Sequence, residues 1–122
     1  MLIIGNDGSI RVTRGDSFSA TLFINQGTEF VPMRYVVGDN DTVYFGVMEP
    51  NQKFEDAVIR KKWTYDTGLI NQFGDLMITL TSDDTILLHP GKYYYQIKMK
   101  YQTKDGEKVT SVTPSTEFWV LD

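Results

Sequence analysis

Cysteine is absent from this chain of 122 residues, and histidine occurs once, at His89. Without thiols the chain has no disulfide framework and no thiolate metal site. Basic residues are also few, since 12 lysines and arginines face 16 aspartates and glutamates and leave a formal net charge of −4. This charge argues against a general nucleic-acid binder, which needs a basic surface to neutralise phosphates.

Long apolar runs are missing as well. No stretch approaches the roughly 20 apolar residues that a membrane-spanning helix needs. The first residues, MLIIGNDGS, combine a short apolar segment with no basic residue, so no secretory signal peptide is expected. These features predict a soluble protein that is made in the cytosol and has no membrane partner.

The chain does contain enough apolar material for one folded unit. Hydrophobic residues make up 41% of it and aromatic residues 13%, far from the composition of a disordered protein. Folding at this length buries about two-thirds of the surface that the unfolded chain exposes. We therefore predict a single domain over residues 1–122, in which residues 1–13 form an N-terminal hairpin extension.

Apolar residues recur with a period of two, which is typical of strands that have one face in a core and one in water. The predicted inward positions are Phe18, Ala20, Leu22 and Ile24, then Val43, Phe45 and Val47, then Leu76, Ile78 and Leu80, then Tyr93, Tyr95, Ile97, Met99 and Tyr101. Further strands are predicted near Leu2–Ile4, Ile10–Arg14, Ala57–Tyr65, Lys108–Val112 and Glu117–Leu121.

One short helix is predicted near Ser82–Leu88, in the segment SDDTILL. Ser82 is a candidate cap, and the two aspartates that follow it suit the positive end of a helix dipole. Pro90-Gly91 would end the helix. It would form a crossover between two strands.

Turn residues separate the predicted strands at short intervals. Asn6-Asp7-Gly8 and Lys104-Asp105-Gly106 predict hairpin turns, because these residue types tolerate positive φ. The span 25–41 predicts a loop or a poor edge strand, and the span 66–74 predicts a loop. The fold class indicated is all-β, an antiparallel sandwich of about seven to nine strands with one short helical crossover.

The ionisable residues form no recognisable catalytic arrangement. His89 would have to be the base of any Ser-His-Asp site, and a lone histidine in a loop is more typical of a surface position. Carboxylates pair at Asp39/Asp41 and Asp83/Asp84 without EF-hand spacing. We therefore predict a protein that is not an enzyme, with no catalytic, cofactor-binding or metal-binding residues and no cofactor.

The basic segment RKKW lies on a predicted strand, where alternation puts Arg60 and Lys62 on one face. Lysine on an edge strand deters edge-to-edge aggregation, and that is one interpretation of the pair. The other is a polar contact surface for a partner protein. Both alternatives stay open at the level of the sequence.

The segment KYYYQIKMKY raises the question of an aromatic binding platform. Alternation sends Tyr93 and Tyr95 into the apolar stripe and leaves Tyr94 on the face that carries lysines, so a platform of three tyrosines is not expected. Trp119 follows the inward-facing Phe118 and is predicted to lie outside the core. The candidate partner contacts are therefore Tyr94, Trp119, Arg60 and Lys62.

The spacing Gly91-x-Tyr93-x-Tyr95 resembles the start of strand F in immunoglobulin-like sandwiches. In that family a tyrosine turns its hydroxyl back onto the preceding corner. The resemblance implies a structural corner made of Pro90, Gly91 and Tyr93. Tyr95 would stand where the family usually has cysteine, and the missing disulfide is a departure from the pattern.

Four longer pieces extend the resemblance over about Arg14–Asp122: RGDSFSATLFIN, GDNDTVYFGVMEP, GDLMITLTSDDTILLHPGKYYYQIKMKY and STEFWVLD. Their content and order are similar to those of a family of phage and prophage domains, the N-terminal domain of upper baseplate proteins from phages of Gram-positive bacteria. The resemblance implies an immunoglobulin-like β-sandwich and a role in virion structure or assembly. It implies no catalytic residues.

The resulting hypothesis is a non-catalytic component of a phage or prophage tail or baseplate that acts by protein–protein interaction. It would reside in the virion, or in the bacterial host cytoplasm during assembly. Its expected partners are other phage structural proteins rather than nucleic acid, and virion symmetry favours self-association. The alternative is a carbohydrate-binding module for cell-surface glycans, which needs at least two coplanar exposed aromatic rings and a polar groove.

Overall fold

Short strands joined by tight connections make up most of the fold. The structure is a computed structural model that describes residues 2–4, 8–21, 24–25, 34–35, 38, 40–64, 66–67, 69–70, 76–113 and 115–122. The elements within these residues are β1 (Leu2–Ile4), β2 (Ile10–Thr13), β3 (Phe18–Thr21), β4 (Ile24–Asn25), β5 (Arg34–Tyr35), β6 (Thr42–Met48), a 3₁₀ turn (Phe54–Asp56), β7 (Ile59–Thr64), β8 (Leu69–Ile70), β9 (Leu76–Leu80), α1 (Ser82–Ile86), β10 (Gly91–Thr103), β11 (Gly106–Ser111) and β12 (Thr116–Leu121). Eight of these described strands have four or more residues, so the predicted all-β, sandwich-like class with a short helical crossover is confirmed.

The large sheet has the strand order β1-β2-β12-β10-β6-β7, and β11 pairs with the far half of β10. The central strand β10 pairs with β6 along one edge, and with β12 and then β11 along the other. One parallel pair, β2 beside β12, departs from the predicted antiparallel arrangement. Two parallel neighbouring strands need a long connection. Here the chain forms most of the sandwich between the end of β2 and the start of β12.

A second sheet, β3-β9-β8, packs against the large sheet. Phe18 of β3 contacts Phe118 of β12 with their ring centroids 6.2 Å apart. The core between the sheets contains Ile10, Val12, Phe18, Val43, Phe45, Val47, Ile59, Trp63, Leu76, Ile78, Leu80, Leu88, Tyr93, Tyr95, Ile97, Met99, Phe118 and Val120. Both sheets contribute their inward residues, as sandwich packing requires.

The connection from α1 to β10 forms a tyrosine corner. The hydroxyl of the buried Tyr93 donates to the carbonyl oxygen of His89 at 2.9 Å. Gly91 has φ +149°, a conformation that other residues rarely adopt, and it follows the exposed Pro90. Burial is the main reason that the pKa of Tyr93 is raised, and the nearby Glu49 carboxylate adds to the effect. This geometry matches the corner of immunoglobulin-like sandwiches.

Replacing Tyr93 by phenylalanine should lower the free energy of unfolding by about 1 kcal/mol, because the hydrogen bond to the corner is lost. Denaturant titration, monitored by tryptophan fluorescence, measures the change in the free energy of unfolding. Tyr101→Phe is the matched control, since the Tyr101 hydroxyl has no hydrogen-bond partner among the described residues and its ring packs against the same core. Equal losses for the two variants would contradict the role of the Tyr93 hydroxyl.

Helix α1 is capped by Thr81, not by the predicted Ser82. Thr81 Oγ1 accepts from the Asp84 N–H at 3.3 Å, and Asp84 Oδ2 accepts from the Thr81 N–H at 2.8 Å. This reciprocal pair is a capping box. Burial acts to raise the pKa of the Asp84 carboxyl, but the hydrogen bonds from Thr81 and the Lys61 ammonium at 2.9 Å outweigh it and lower the pKa. The capping box and the ion pair stabilise the short helix.

The predicted turns and loops are described in part. The turn at Lys104-Asp105 joins the paired residues Thr103 and Gly106, and Gly106 has φ +112°. Asn6 and Asp7 lie outside the described residues, and β1 pairs antiparallel with β2 on either side of them. Residues 25–41, predicted as a loop or a poor edge strand, contain β5, which pairs with β4, and the predicted loop over residues 66–74 contains β8. No helix within the described ranges is long and apolar enough to cross a membrane.

Candidate functional site

The side of the large sheet that points away from the core carries the predicted contact residues. Residues that are paired across neighbouring strands project to the same side, so the strand register defines this surface, which we call the outer face. Its residues on β2, β12, β10, β6 and β7 are Arg11, Glu117, Trp119, Lys92, Tyr94, Gln96, Lys98, Lys100, Thr42, Tyr44, Gly46, Met48, Arg60, Lys62 and Thr64. Strand spacing and rise give it dimensions of about 20 by 27 Å.

Tyr94 and Trp119 lie side by side toward one end of the outer face. Trp119 pairs across the strands with Lys92, and Tyr94 pairs with Glu117. Both aromatic side chains are half-buried. The indole N–H of Trp119 donates to the Glu117 carboxylate at 3.2 Å. The structure therefore places the two predicted aromatic contacts next to each other, outside the core.

Arg60 and Lys62 lie on β7, the edge strand of the large sheet. Both side chains are exposed, and their partners in the register, Gly46 and Tyr44, belong to the outer face. Neither cation forms an ion pair with a carboxylate of the described residues. The structure thus brings all four predicted contacts to one face and leaves these two charges open to solvent.

Cations lie over the aromatic rings of the outer face. The Lys92 ammonium is 5.2 Å from the centroid of the Tyr94 ring and 5.8 Å from that of Trp119. The Arg11 guanidinium is also 5.8 Å from the Trp119 centroid. At these distances the ring quadrupole attracts a cation. The rings therefore hold basic groups in place above the sheet.

Gly46 makes room for a third ring, which the sequence analysis missed. A Cβ atom at Gly46 would lie 2.9 Å from Cε2 of Phe54, so the 3₁₀ turn packs its phenylalanine directly on the backbone of β6. The Lys98 ammonium lies 4.7 Å from the centroid of the Phe54 ring. A glycine inside a strand often marks such a close approach. Gly46, inside the predicted strand DTVYFGVME, was therefore the signal in the sequence that could have indicated this contact.

Two ion pairs also lie on this side of the sheet. Lys92 contacts Glu117 at 3.0 Å, and Lys100 contacts Glu107 at 3.2 Å. The hydrogen bond to the Glu117 carboxylate is the main reason that the pKa of Lys92 is raised, and a hydrogen bond to Tyr94 adds to it. Exposed ion pairs of this kind contribute little to stability. They do show that the charges of Lys92 and Lys100 are already balanced by neighbouring carboxylates.

The residues considered for catalysis do not come together. His89 and Asp83 are exposed, and Asp84 belongs to the capping box. Asp41 accepts from the Gly38 N–H at 2.8 Å within its own turn, and Asp39 lies outside the described residues. In the ranges that the structure describes, no group of three or more histidines, aspartates and glutamates could hold a metal ion.

A shallow depression of about 280 Å³ adjoins Tyr94. It is lined by Met48, Glu49, Pro50, Asn51, Gln52, Tyr94 and Ser115. Small-molecule sites are usually enclosed clefts of about 300–1,000 Å³, so this open hollow is better suited to part of a larger contact. It extends the outer face along the loop that follows β6.

Comparison with protein-family models finds no matching family, and comparison with curated proteins finds no matching relative. The geometry of the outer face and the sequence resemblance are therefore the basis for a functional proposal.

Proposed function

We propose that this protein is a non-catalytic structural or assembly module of a phage or prophage virion, of the tail or baseplate type. Its contacts with other structural proteins would be made through the outer face. The observation that carries the proposal is the gathering of Tyr94, Trp119, Arg60 and Lys62 on that face. The setting in a virion rests on the sequence resemblance to phage domains.

Composition and size both favour a protein partner. Tyrosine, tryptophan and arginine are the residue types that most often dominate the energy of protein–protein contacts. The outer face has a projected area of about 500 Å². A standard protein interface buries about 800 Å² of accessible surface on each partner, so the outer face with its adjoining loop can supply most of one.

A carbohydrate-binding module is the second candidate, because Tyr94 and Trp119 are neighbouring rings. Sugars stack on open aromatic faces, whereas here the Lys92 ammonium lies over both rings and Arg11 over one of them. A sugar would first have to displace these cations. Glycan-array screening separates the two candidates. Glycan binding that is lost in Tyr94→Ala would favour the carbohydrate-binding module, and the absence of binding at millimolar ligand would exclude that module.

Incorporation into particles tests the proposal. The double variant Tyr94→Ala with Trp119→Ala should enter purified phage particles at least about ten-fold less than the unaltered chain, because truncating contact aromatics costs about 2 kcal/mol or more each. Quantitative mass spectrometry of the particles measures this. Thermal melting of the free variant checks that it is folded.

Ile86→Ala is the control. It also removes a large apolar side chain, which is exposed at α1 and lies beside Gly15, in the turn before β3. This control should enter particles normally. The proposal fails if the Tyr94/Trp119 variant is incorporated as well as the control, or if the unaltered chain is missing from particles.

A further inference from the structure

Charge is distributed unevenly between the outer face and the rest of the chain. Six of the 12 basic residues project from the strands of this face: Arg11, Arg60, Lys62, Lys92, Lys98 and Lys100. The carboxylates that project from the same side of the strands are Glu107 and Glu117. The outward side of these strands therefore carries four net positive charges in a chain of net charge −4, so all the other residues together carry −8. The acidic overall composition conceals a basic face.

Several of these cations are not neutralised by any carboxylate that the structure describes. Arg11 is held over Trp119 and Lys98 over Phe54, and an aromatic ring attracts a cation without cancelling its charge. Arg11, Arg60, Lys62 and Lys98 form no ion pair with any described carboxylate. Because ring contacts restrict the side chains in advance, less conformational entropy is lost when an anion binds.

We infer that the outer face binds an acidic polypeptide surface, with Arg60, Lys62 and Lys98 contacting carboxylates and Tyr94 and Trp119 packing beside them. This inference rests on the proposed function and adds to it the chemistry of the partner. Complementary charge across an interface steers the encounter and selects the partner. It matters most for cations that have no carboxylate partner, as is the case here among the residues that the structure describes.

Polypeptide fits this surface better than nucleic acid. Single-stranded nucleic acids bind by stacking their bases on open aromatic rings along a basic groove. Here cations cover the rings of Tyr94 and Trp119. Glu107 and Glu117 project from the same side of the sheet and would repel a phosphate backbone, whereas the lysines and arginines of an acidic partner could pair with them.

The test uses poly-L-glutamate as the probe and the purified folded chain. Isothermal titration calorimetry should detect binding that weakens sharply as salt rises from about 0.1 M to about 1 M, because the Debye length falls from about 10 Å to about 3 Å. At the lower salt, the double variant Arg60→Glu with Lys62→Glu should bind poly-L-glutamate at least about ten-fold more weakly than the unaltered chain.

Lys104→Glu with Lys108→Glu is the matched control, because it changes the net charge equally. Lys104 lies in the turn after β10, and Lys108 pairs with Tyr101 and so projects to the other side of the sheet. The control should keep its affinity within about two-fold, since distant exposed charges are screened. Equal losses in the two variants would overturn the inference, as would a failure of the unaltered chain to bind.

Other occupants give distinct results. Tighter binding of heparin or single-stranded DNA than of poly-L-glutamate, lost in the Arg60/Lys62 variant, would overturn the polypeptide assignment. Self-association that this variant abolishes, measured by sedimentation velocity, would make a second copy of this chain the occupant and would overturn the assignment to another structural protein. If particle incorporation depends on Tyr94 and Trp119 but poly-L-glutamate does not bind, only the inference fails. If poly-L-glutamate binds as expected and incorporation is unchanged, only the proposed function fails.

Discussion

Replacing Phe118 by alanine is expected to lower the free energy of unfolding by about 3–5 kcal/mol. Phe118 has 0% of its surface exposed and lies on β12. Its ring contacts Phe18 of the opposite sheet at 6.2 Å and Tyr95 of β10 at 6.4 Å, between centroids. The variant would lose contacts within the large sheet and contacts between the two sheets, and the surrounding side chains could close the resulting cavity only in part.

Urea denaturation at neutral pH measures this loss. Leu87→Ala is the control, because Leu87 is 79% exposed and surface substitutions usually change stability by less than about 0.5 kcal/mol. A Phe118→Ala variant that loses less than about 1 kcal/mol would contradict the placement of this ring between the sheets.

Replacing Thr85 by valine is expected to cost about 2–4 kcal/mol, although the two side chains have nearly the same shape. Thr85 lies in α1 with none of its surface exposed. Its hydroxyl donates to the Asp16 carbonyl at 2.7 Å and accepts from the Gly15 N–H at 3.0 Å. Valine would remove the hydrogen bonds that these two backbone groups make to the hydroxyl. The hydroxyl is therefore the link that attaches α1 to the turn between β2 and β3.

Thr85→Ser separates the hydroxyl from the methyl group. Serine keeps both hydrogen bonds and loses one buried methyl, which is worth about 1 kcal/mol. Thermal or urea unfolding should therefore rank the unaltered chain above Thr85→Ser and Thr85→Ser above Thr85→Val. A valine variant at least as stable as the serine variant would show that the link from α1 to this turn contributes little.

A second attachment supports the same region. The Arg14 side chain donates from Nε to the carbonyl oxygens of Ile86 and Leu88, at 3.1 and 2.9 Å. Ile86 is the last residue of α1 and Leu88 follows its cap residue Leu87, so neither carbonyl has a partner inside the helix. Thr85 and Arg14 together explain how a helix of five residues keeps a fixed position at the start of the tyrosine corner.

Local alternation predicted the strands well, because burial on one face of a strand leaves a period of two in the sequence. Leu76, Ile78 and Leu80 are buried as expected, and Tyr93 and Tyr95 turn inward while Tyr94 does not. The predicted strand Ala57–Tyr65 begins later than expected, at Ile59, because Ala57 closes the 3₁₀ turn by a hydrogen bond to Phe54. Local patterns therefore indicate the strands but not where irregular turns displace their ends.

Relations between distant strands were not predictable in the same way. The parallel pairing of β2 with β12 depends on where the whole sandwich brings its first and last strands. The contact of Phe54 with Gly46 depends on the return of the loop across β6. The basic outer face could not be predicted from the sequence either. Net charge is a property of composition and does not indicate which strands are neighbours.

We propose that the outer face is the contact surface of an assembly. Hydroxyl-radical footprinting of the free chain and of the chain in purified phage particles tests this proposal, with mass spectrometry reporting the oxidation of each side chain. We expect Tyr94 and Trp119 to lose reactivity on assembly while Ile86, exposed at α1, keeps it. Protection of Ile86 with unchanged reactivity at Tyr94 and Trp119 would show that the outer face is not the contact surface.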